Sequence, residues 1–182
     1  MDHCIIFGIL SLPVILLSAK SLLTPRSHGF YRFFSWECIL WIFAFNYKFW
    51  FVEPFGIYQI FSWLFLIIST YLVFAGVIQL KKAKNITSIR EDKTLFEFER
   101  TSELVVSGIF GYIRHPMYSS LLFLTWGILL KNPTLQLIFV AGLSAVFLYL
   151  TARTDEKECL DYFGESYRNY MKQTKRFIPF VI

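Results

Sequence analysis

The chain has 182 residues, of which 55% are apolar, 20% aromatic and only 17% charged, and its mean hydropathy is +0.51. A water-soluble domain is about 45–50% apolar with about 25% charge, and here the apolar residues run in long blocks, which excludes an ordinary soluble globule and predicts an all-α integral membrane bundle in a lipid bilayer. The net charge of +5 would suit nucleic acid, but the basic residues are placed as topology signals, so no nucleic-acid partner is expected.

A bilayer-crossing helix needs about 20 apolar residues. Cys4 to Leu23 is the first such stretch, with Pro13 inside it. No Lys or Arg precedes it, which argues against a cleaved signal peptide. A polar link, Thr24 to Arg32, leads to a second stretch, Phe33 to Val52. Glu37 and Lys48 then sit near its two ends, where charged side chains reach water. Glu53-Pro54 makes a turn, and Phe55 to Leu80 is a third stretch, long enough to tilt.

Lys81 to Arg114 is the one extended polar segment. Within it, residues 93–106 mix Leu95, Phe96, Phe98, Leu104 and Val105 with charges. That pattern fits a segment lying on the membrane surface over a site, and equally a solvated loop. Met117 to Ala152 is too long for one crossing at about 1.5 Å per residue. Lys131-Asn132-Pro133 divides it into a short arm, 116–130, and a longer arm, 134–152, so a helical hairpin is expected. From Arg153 onward the chain is polar, and Pro179 to Ile182 carries no prenylation cysteine. Cys4, Cys38 and Cys159 form no CxxC pair and no metal spacing, and are read as buried free thiols.

The predicted organisation is a single membrane-embedded domain over 1–182. Residues 1–80 make three spans, 81–116 a cytoplasmic loop, 117–152 the hairpin and 153–182 a cytoplasmic C-terminal segment. With five spans, every Lys and Arg except Lys48 and Lys131 falls on one side. The positive-inside rule makes that side cytoplasmic and puts the N-terminus outside.

A hairpin returns to the face it left. Arg114, His115 and Tyr118 at its start are therefore expected to meet Asp155, Glu156 and Glu158 at its end. Pro116 opens the intervening helix, whose free N–H groups favour anions. Such a site suits a charged cofactor meeting an apolar substrate. A carboxylate takes a ribose or an ammonium group, and aromatic faces attract a sulfonium cation. Dinucleotide and P-loop fingerprints are missing from the sequence, and with only His3, His28 and His115 no catalytic metal is expected.

The stretch Leu104 to Tyr118, LVVSGIFGYIRHPMY, is followed by Asp155-Glu156, Phe163-Gly164, Tyr167 and Tyr170. In that order it resembles the isoprenylcysteine carboxyl methyltransferase and phospholipid methyltransferase family. The family pattern runs as an RHPxYxG stretch, a Glu-Glu pair and FGxxYxxY. The resemblance covers roughly the C-terminal 80 residues. It implies S-adenosylmethionine as cofactor, held at the cytoplasmic end of the hairpin. Arg114, His115, Pro116 and Tyr118 would form one wall of its pocket and Asp155 and Glu156 the other. A lipophilic acceptor would enter from the bilayer, with Arg114 steering an acceptor carboxylate and Glu156 fixing the cofactor. Three positions depart from the family: Asp155 replaces the first Glu, Ser120 stands where Gly is usual, and Ser102 where the prenylcysteine enzymes often carry His.

Methyl transfer from a sulfonium is an in-line displacement helped by positioning and by excluding water. A carboxylate acceptor needs no base at pH 7. An amine or thiol acceptor does, with Glu156, Glu158 and His115 as candidates. Two other readings fit the same residues: an NADPH-dependent membrane reductase of the sterol type, and a non-catalytic scaffold of the same fold.

Overall fold

The computed structural model describes residues 2–83 and 103–178. Ser102 and most of the segment expected on the membrane surface lie outside the described residues. Six α-helices are present among those described: α1 His3–Leu22, α2 His28–Asn46, α3 Ile57–Ala83, α4 Pro116–Leu129, α5 Leu135–Phe163 and α6 Glu165–Gln173. Short 3-10 turns follow α2 at Tyr47–Phe49 and precede α4 at Gly108–Gly111.

Local chemistry sets the helix starts. Asp2 accepts from the backbone N–H of Cys4, Ser27 from Phe30 and Thr134 from Leu137, each oxygen satisfying an N–H that has no partner within its helix. Pro116 occupies the first turn of α4, where its missing N–H costs nothing. The Ser27 cap starts α2 five residues earlier than the apolar pattern indicates. Glu37 therefore lies in the middle of the helix instead of near its end, and accepts from Ser11 Oγ of α1 at 2.7 Å. α2 ends early as well. The Asn46 amide turns inward and donates to the carbonyls of Ile128 and Leu129, at 2.8 and 3.3 Å.

Three helices, α1, α3 and α5, are long and apolar enough to cross a membrane, and α4 is a shorter apolar helix. At 14 residues α4 spans about 21 Å, less than the roughly 30 Å hydrocarbon core. The outward faces carry Leu12, Leu16 and Leu17 of α1 and Ile60, Ile67 and Phe74 of α3, all exposed, as a lipid-facing surface demands.

The bundle is held by pairwise seams. α1 packs on α2, α2 on α5, and α3 on α4, while α4 also meets α5 and α2. The α3–α4 seam is close because its residues are small. A Cβ on Gly127 would come within 2.9 Å of Leu66 Cδ2, and Ser62 and Ser69 donate to the carbonyls of Gly127 and Ser120. Ser35, Ser144 and Thr125 form a fully buried hydroxyl cluster between α2, α5 and α4. At the hairpin turn, Lys131 is buried. Its ammonium lies 3.8 Å from the Trp63 ring centre and donates to Gln59 at 2.9 Å. The three cysteines are free as expected, but Cys4 is exposed and Cys38 and Cys159 are half-buried, with Cys159 Sγ 3.7 Å from Asp155 Oδ1.

Candidate functional site

The hairpin juxtaposes its two ends. α4 begins at Pro116, and α5 continues past the apolar stretch, which ends at Ala152, for three polar turns to Phe163. Gly164 ends α5 at φ +58°, a left-handed conformation that an L side chain resists, and reverses the chain into α6. The chain then returns. Residues 174–177 lie beside residues 112–115, with Arg114 N donating to the Lys175 carbonyl at 2.8 Å and His115 N to that of Arg176 at 3.2 Å. Ser119 Oγ donates to the Phe177 carbonyl at 2.7 Å. The C-terminal segment thus straps over the start of α4.

Glu156, only 4% exposed, is the hub of the strap. Its Oε1 accepts from Arg114 Nε at 2.9 Å and from Arg176 Nε at 3.0 Å, and its Oε2 accepts from Arg176 Nη2 at 2.7 Å. Arg114 Nη1 also donates to the carbonyls of Met171 and Thr174. Burial alone would raise the Glu156 pKa. The neighbouring His115 ring and the hydrogen bonds from Arg176 and Arg114 outweigh it and hold the carboxyl well below its usual range.

His115 is buried between two carboxylates. Nδ1 lies 3.4 Å from Asp155 Oδ2 and Nε2 lies 3.4 Å from Glu156 Oε1, the latter a charge contact without hydrogen-bond direction. The ring stacks on Tyr118 at 5.2 Å. Burial would lower the His115 pKa, but the two carboxylates prevail and raise it, favouring the protonated imidazole. Asp155 accepts from Tyr118 Oη at 3.1 Å. Its pKa too is raised by burial and lowered further than that by His115, His28 and Tyr118, so it stays ionised.

These groups border an open cleft. It is lined by Arg114, His115 and Asp155 together with the rings of Phe110, Tyr167 and Tyr170. Tyr170 Oη donates to the Phe110 carbonyl at 2.6 Å and fixes one aromatic wall. Burial raises the pKa of both Tyr167 and Tyr170, so both remain neutral.

Of the residues expected at the site, Arg114, His115, Tyr118, Asp155 and Glu156 are brought together. Asp155 and Glu156 are adjacent on a helix and point about 100° apart. Asp155 lines the cleft, whereas Glu156 turns to the two guanidinium groups. Pro116 is buried and sits against Gly76 of α3. Glu158, expected to meet Arg114, His115 and Tyr118, pairs with His28 instead.

Two contributors escape sequence reasoning. Arg176 sits in a Lys-Arg pair that reads as a topology signal, and only its return path brings it to Glu156. His28 is in a polar link with no neighbouring motif. His28, Asp155 and Glu158 offer donor atoms within 4.8 Å of one another. However, His28 Nδ1 and Glu158 Oε2 are 2.5 Å apart, a direct hydrogen bond, whereas donors around a tetrahedral ion stand about 3.3 Å apart.

Comparison with known proteins gives the family. Residues 57–169, more than half of the chain, match the family model described as phospholipid methyltransferase. The chain is 23% identical over 128 residues to methanethiol S-methyltransferase of Crocosphaera subtropica, an alignment covering 68% of this chain and 46% of that protein. It is 31% identical over 85 residues to protein-S-isoprenylcysteine O-methyltransferase of Mus musculus, covering 44% of this chain and 29% of that protein. The counterpart of Schizosaccharomyces pombe is 29% identical over 132 residues, covering 70% and 52%. The chain thus spans about half, or less, of the length of these relatives. No solved structure matches it.

Proposed function

This chain belongs to the phospholipid methyltransferase family, and from that premise we propose that it transfers a methyl group from S-adenosylmethionine to a lipophilic acceptor, an isoprenylcysteine-like carboxylate being the one its site suits best. The observation that carries the acceptor is that every candidate base is already committed. His115 lies between two carboxylates, Glu156 between two guanidinium groups, and Glu158 is bonded to His28. A carboxylate acceptor arrives ionised at neutral pH and needs no base.

The cleft suits the cofactor chemically. Asp155 is an ionised carboxylate on its wall, fit for an ammonium group or ribose hydroxyls, and the rings of Phe110, Tyr167 and Tyr170 offer faces to an adenine or a sulfonium. When bound there, S-adenosylmethionine would supply an electrophilic methyl group on a sulfonium sulfur, with the neutral thioether as the leaving group. Tyr118 and His115 orient Asp155. Arg114 Nη2 has no partner among the described residues and offers a guanidinium edge to the acceptor carboxylate. Glu156 keeps Arg114 in place, and Pro116 sets the start of the helix on which Tyr118 stands. The aromatic walls exclude water from the displacement.

A phospholipid amine is the second reading, favoured by the family model's own description. In a five-span bundle with the N-terminus outside, the site faces the cytoplasm, because the Lys and Arg residues gather on that side. The test is transfer of labelled methyl from S-adenosylmethionine by the protein in micelles. The acceptors offered separately are a prenylated cysteine with a free carboxylate, phosphatidylethanolamine and methanethiol. Label in the prenylated cysteine alone is expected. Label in the phospholipid instead supports the second reading, and label in none contradicts methyl transfer.

A further inference from the structure

The cleft has a support that lies outside the family match, which begins at residue 57. His28 opens α2 and is fully buried. Glu158, on the polar end of α5, grips it twice. Oε1 accepts the His28 backbone N–H at 3.2 Å, and Oε2 lies 2.5 Å from His28 Nδ1. The first contact sets a carboxylate at a helix N-terminus, where the helix dipole favours it. The second fixes the orientation of the imidazole, as a carboxylate on Nδ1 does. One turn back along α5 stands Asp155, with donor atoms of all three residues within 4.8 Å of one another. Asp155 is the carboxylate that lines the cleft.

We propose that His28, oriented by Glu158, is a positioning residue for Asp155: it sets a buried imidazole beside that carboxylate and ties the α1–α2 pair to the site. His28 does not line the cleft, so it acts through Asp155 and touches no substrate. The charged and titratable groups around this pair are Arg32 on α2, His115 and Tyr118 at the start of α4, Glu158 and Cys159 on α5, and Tyr167 on α6. Burial, and more weakly Arg32, oppose a charge on His28, while the Glu158 hydrogen bond and the carboxylates of Asp155 and Glu158 favour it and prevail. The geometry stands by itself; only its consequence for ligand binding rests on the cofactor reading above.

Two measurements separate the two claims. The first is an infrared titration of the ligand-free protein in micelles, following the protonated-carboxyl band that Asp155→Asn removes. In His28→Gln that band should appear about one pH unit higher than in the parent. Glu158→Gln, which leaves the imidazole in place but frees it, should move it in the same direction and serves if His28→Gln does not fold. A band at the parent's pH in a folded variant overturns the proposal, because a merely structural histidine would leave the Asp155 titration where it is. The second is calorimetric binding of S-adenosylhomocysteine. His28→Gln should bind about tenfold more weakly and lose binding at a higher pH than the parent. Unchanged affinity and pH profile overturn the proposal. If the parent itself binds none, the cofactor reading fails, and the infrared titration still decides the role of His28.

Discussion

Arg176 and Glu156 are joined by two hydrogen bonds, Nε to Oε1 at 3.0 Å and Nη2 to Oε2 at 2.7 Å. This fork pins the C-terminal segment to α5, and through the Arg114 bond to the same Oε1 it also pins the loop before α4. Three stretches remote in sequence are therefore locked at one buried carboxylate.

Removing that carboxylate should unfasten the site. Glu156→Gln leaves two guanidinium groups facing a neutral amide, and breaking such a buried pair costs roughly 3–5 kcal/mol. The expected result is a marked fall in the thermal unfolding midpoint in micelles. Arg176→Ala, which still leaves Arg114 on Glu156, should lower the midpoint less.

Asp155→Asn should behave differently. Asp155 holds no guanidinium, so the protein should stay folded. Its binding of S-adenosylhomocysteine should weaken about tenfold to hundredfold, the scale of a hydrogen bond to a charged group. Calorimetry beside thermal unfolding separates this residue from Glu156: the Asp155 variant loses chiefly ligand, the Glu156 variant chiefly stability.

The pH dependence has a defined shape. Asp155 and Glu156 are held below their ordinary values of 3.8 and 4.5, so their contribution is present above those values and fades as pH falls beneath them. His115 is held above its ordinary 6.5, so its contribution is complete below that value and fades as pH rises through its higher folded pKa. The thermal midpoint should therefore be highest between about pH 4.5 and 6.5 and decline on both sides. A midpoint that climbs steadily from pH 6.5 to 9 contradicts the upward shift of His115.

The α3–α4 seam tolerates no bulk. Gly127→Val brings carbon atoms onto Leu66, whose Cδ2 already lies 2.9 Å from a built Cβ, and should cost about 1–3 kcal/mol. Gly142→Ala on α5 meets nothing within 4 Å and should be neutral or slightly stabilising. Thermal unfolding of the two variants in micelles checks the contrast.

Much of this architecture is legible in the sequence because two signals are local. Apolar length marks helices, and the RHPxY stretch with its distant acidic pair marks a hairpin whose ends meet. Boundaries are less legible where a polar cap or a packed amide overrides hydropathy, as Ser27 and Asn46 do at the two ends of α2. The division of labour between Asp155 and Glu156 is foreshadowed by helix geometry, but which carboxylate turns inward depends on Arg176. That arginine reaches the site only because Gly164 reverses the chain. His28 is invisible in the sequence for the same reason: its partner lies 130 residues away, and nothing local marks the pairing.

Sidedness is open to direct labelling. With the N-terminus outside, an impermeant thiol reagent applied from the non-cytoplasmic face should modify Cys4, which is exposed, while Cys159 should react only from the cytoplasmic face. Cytoplasmic labelling of Cys4 contradicts the five-span arrangement.

The most direct test of the site is calorimetric binding of S-adenosylhomocysteine and of NADPH to the purified protein in micelles, with Asp155→Asn alongside. Binding of S-adenosylhomocysteine alone, weakened in the variant, is the predicted result. Binding of NADPH in its place, or of neither by a folded protein, would contradict a methyl-transfer site between α4, α5 and the C-terminal strap.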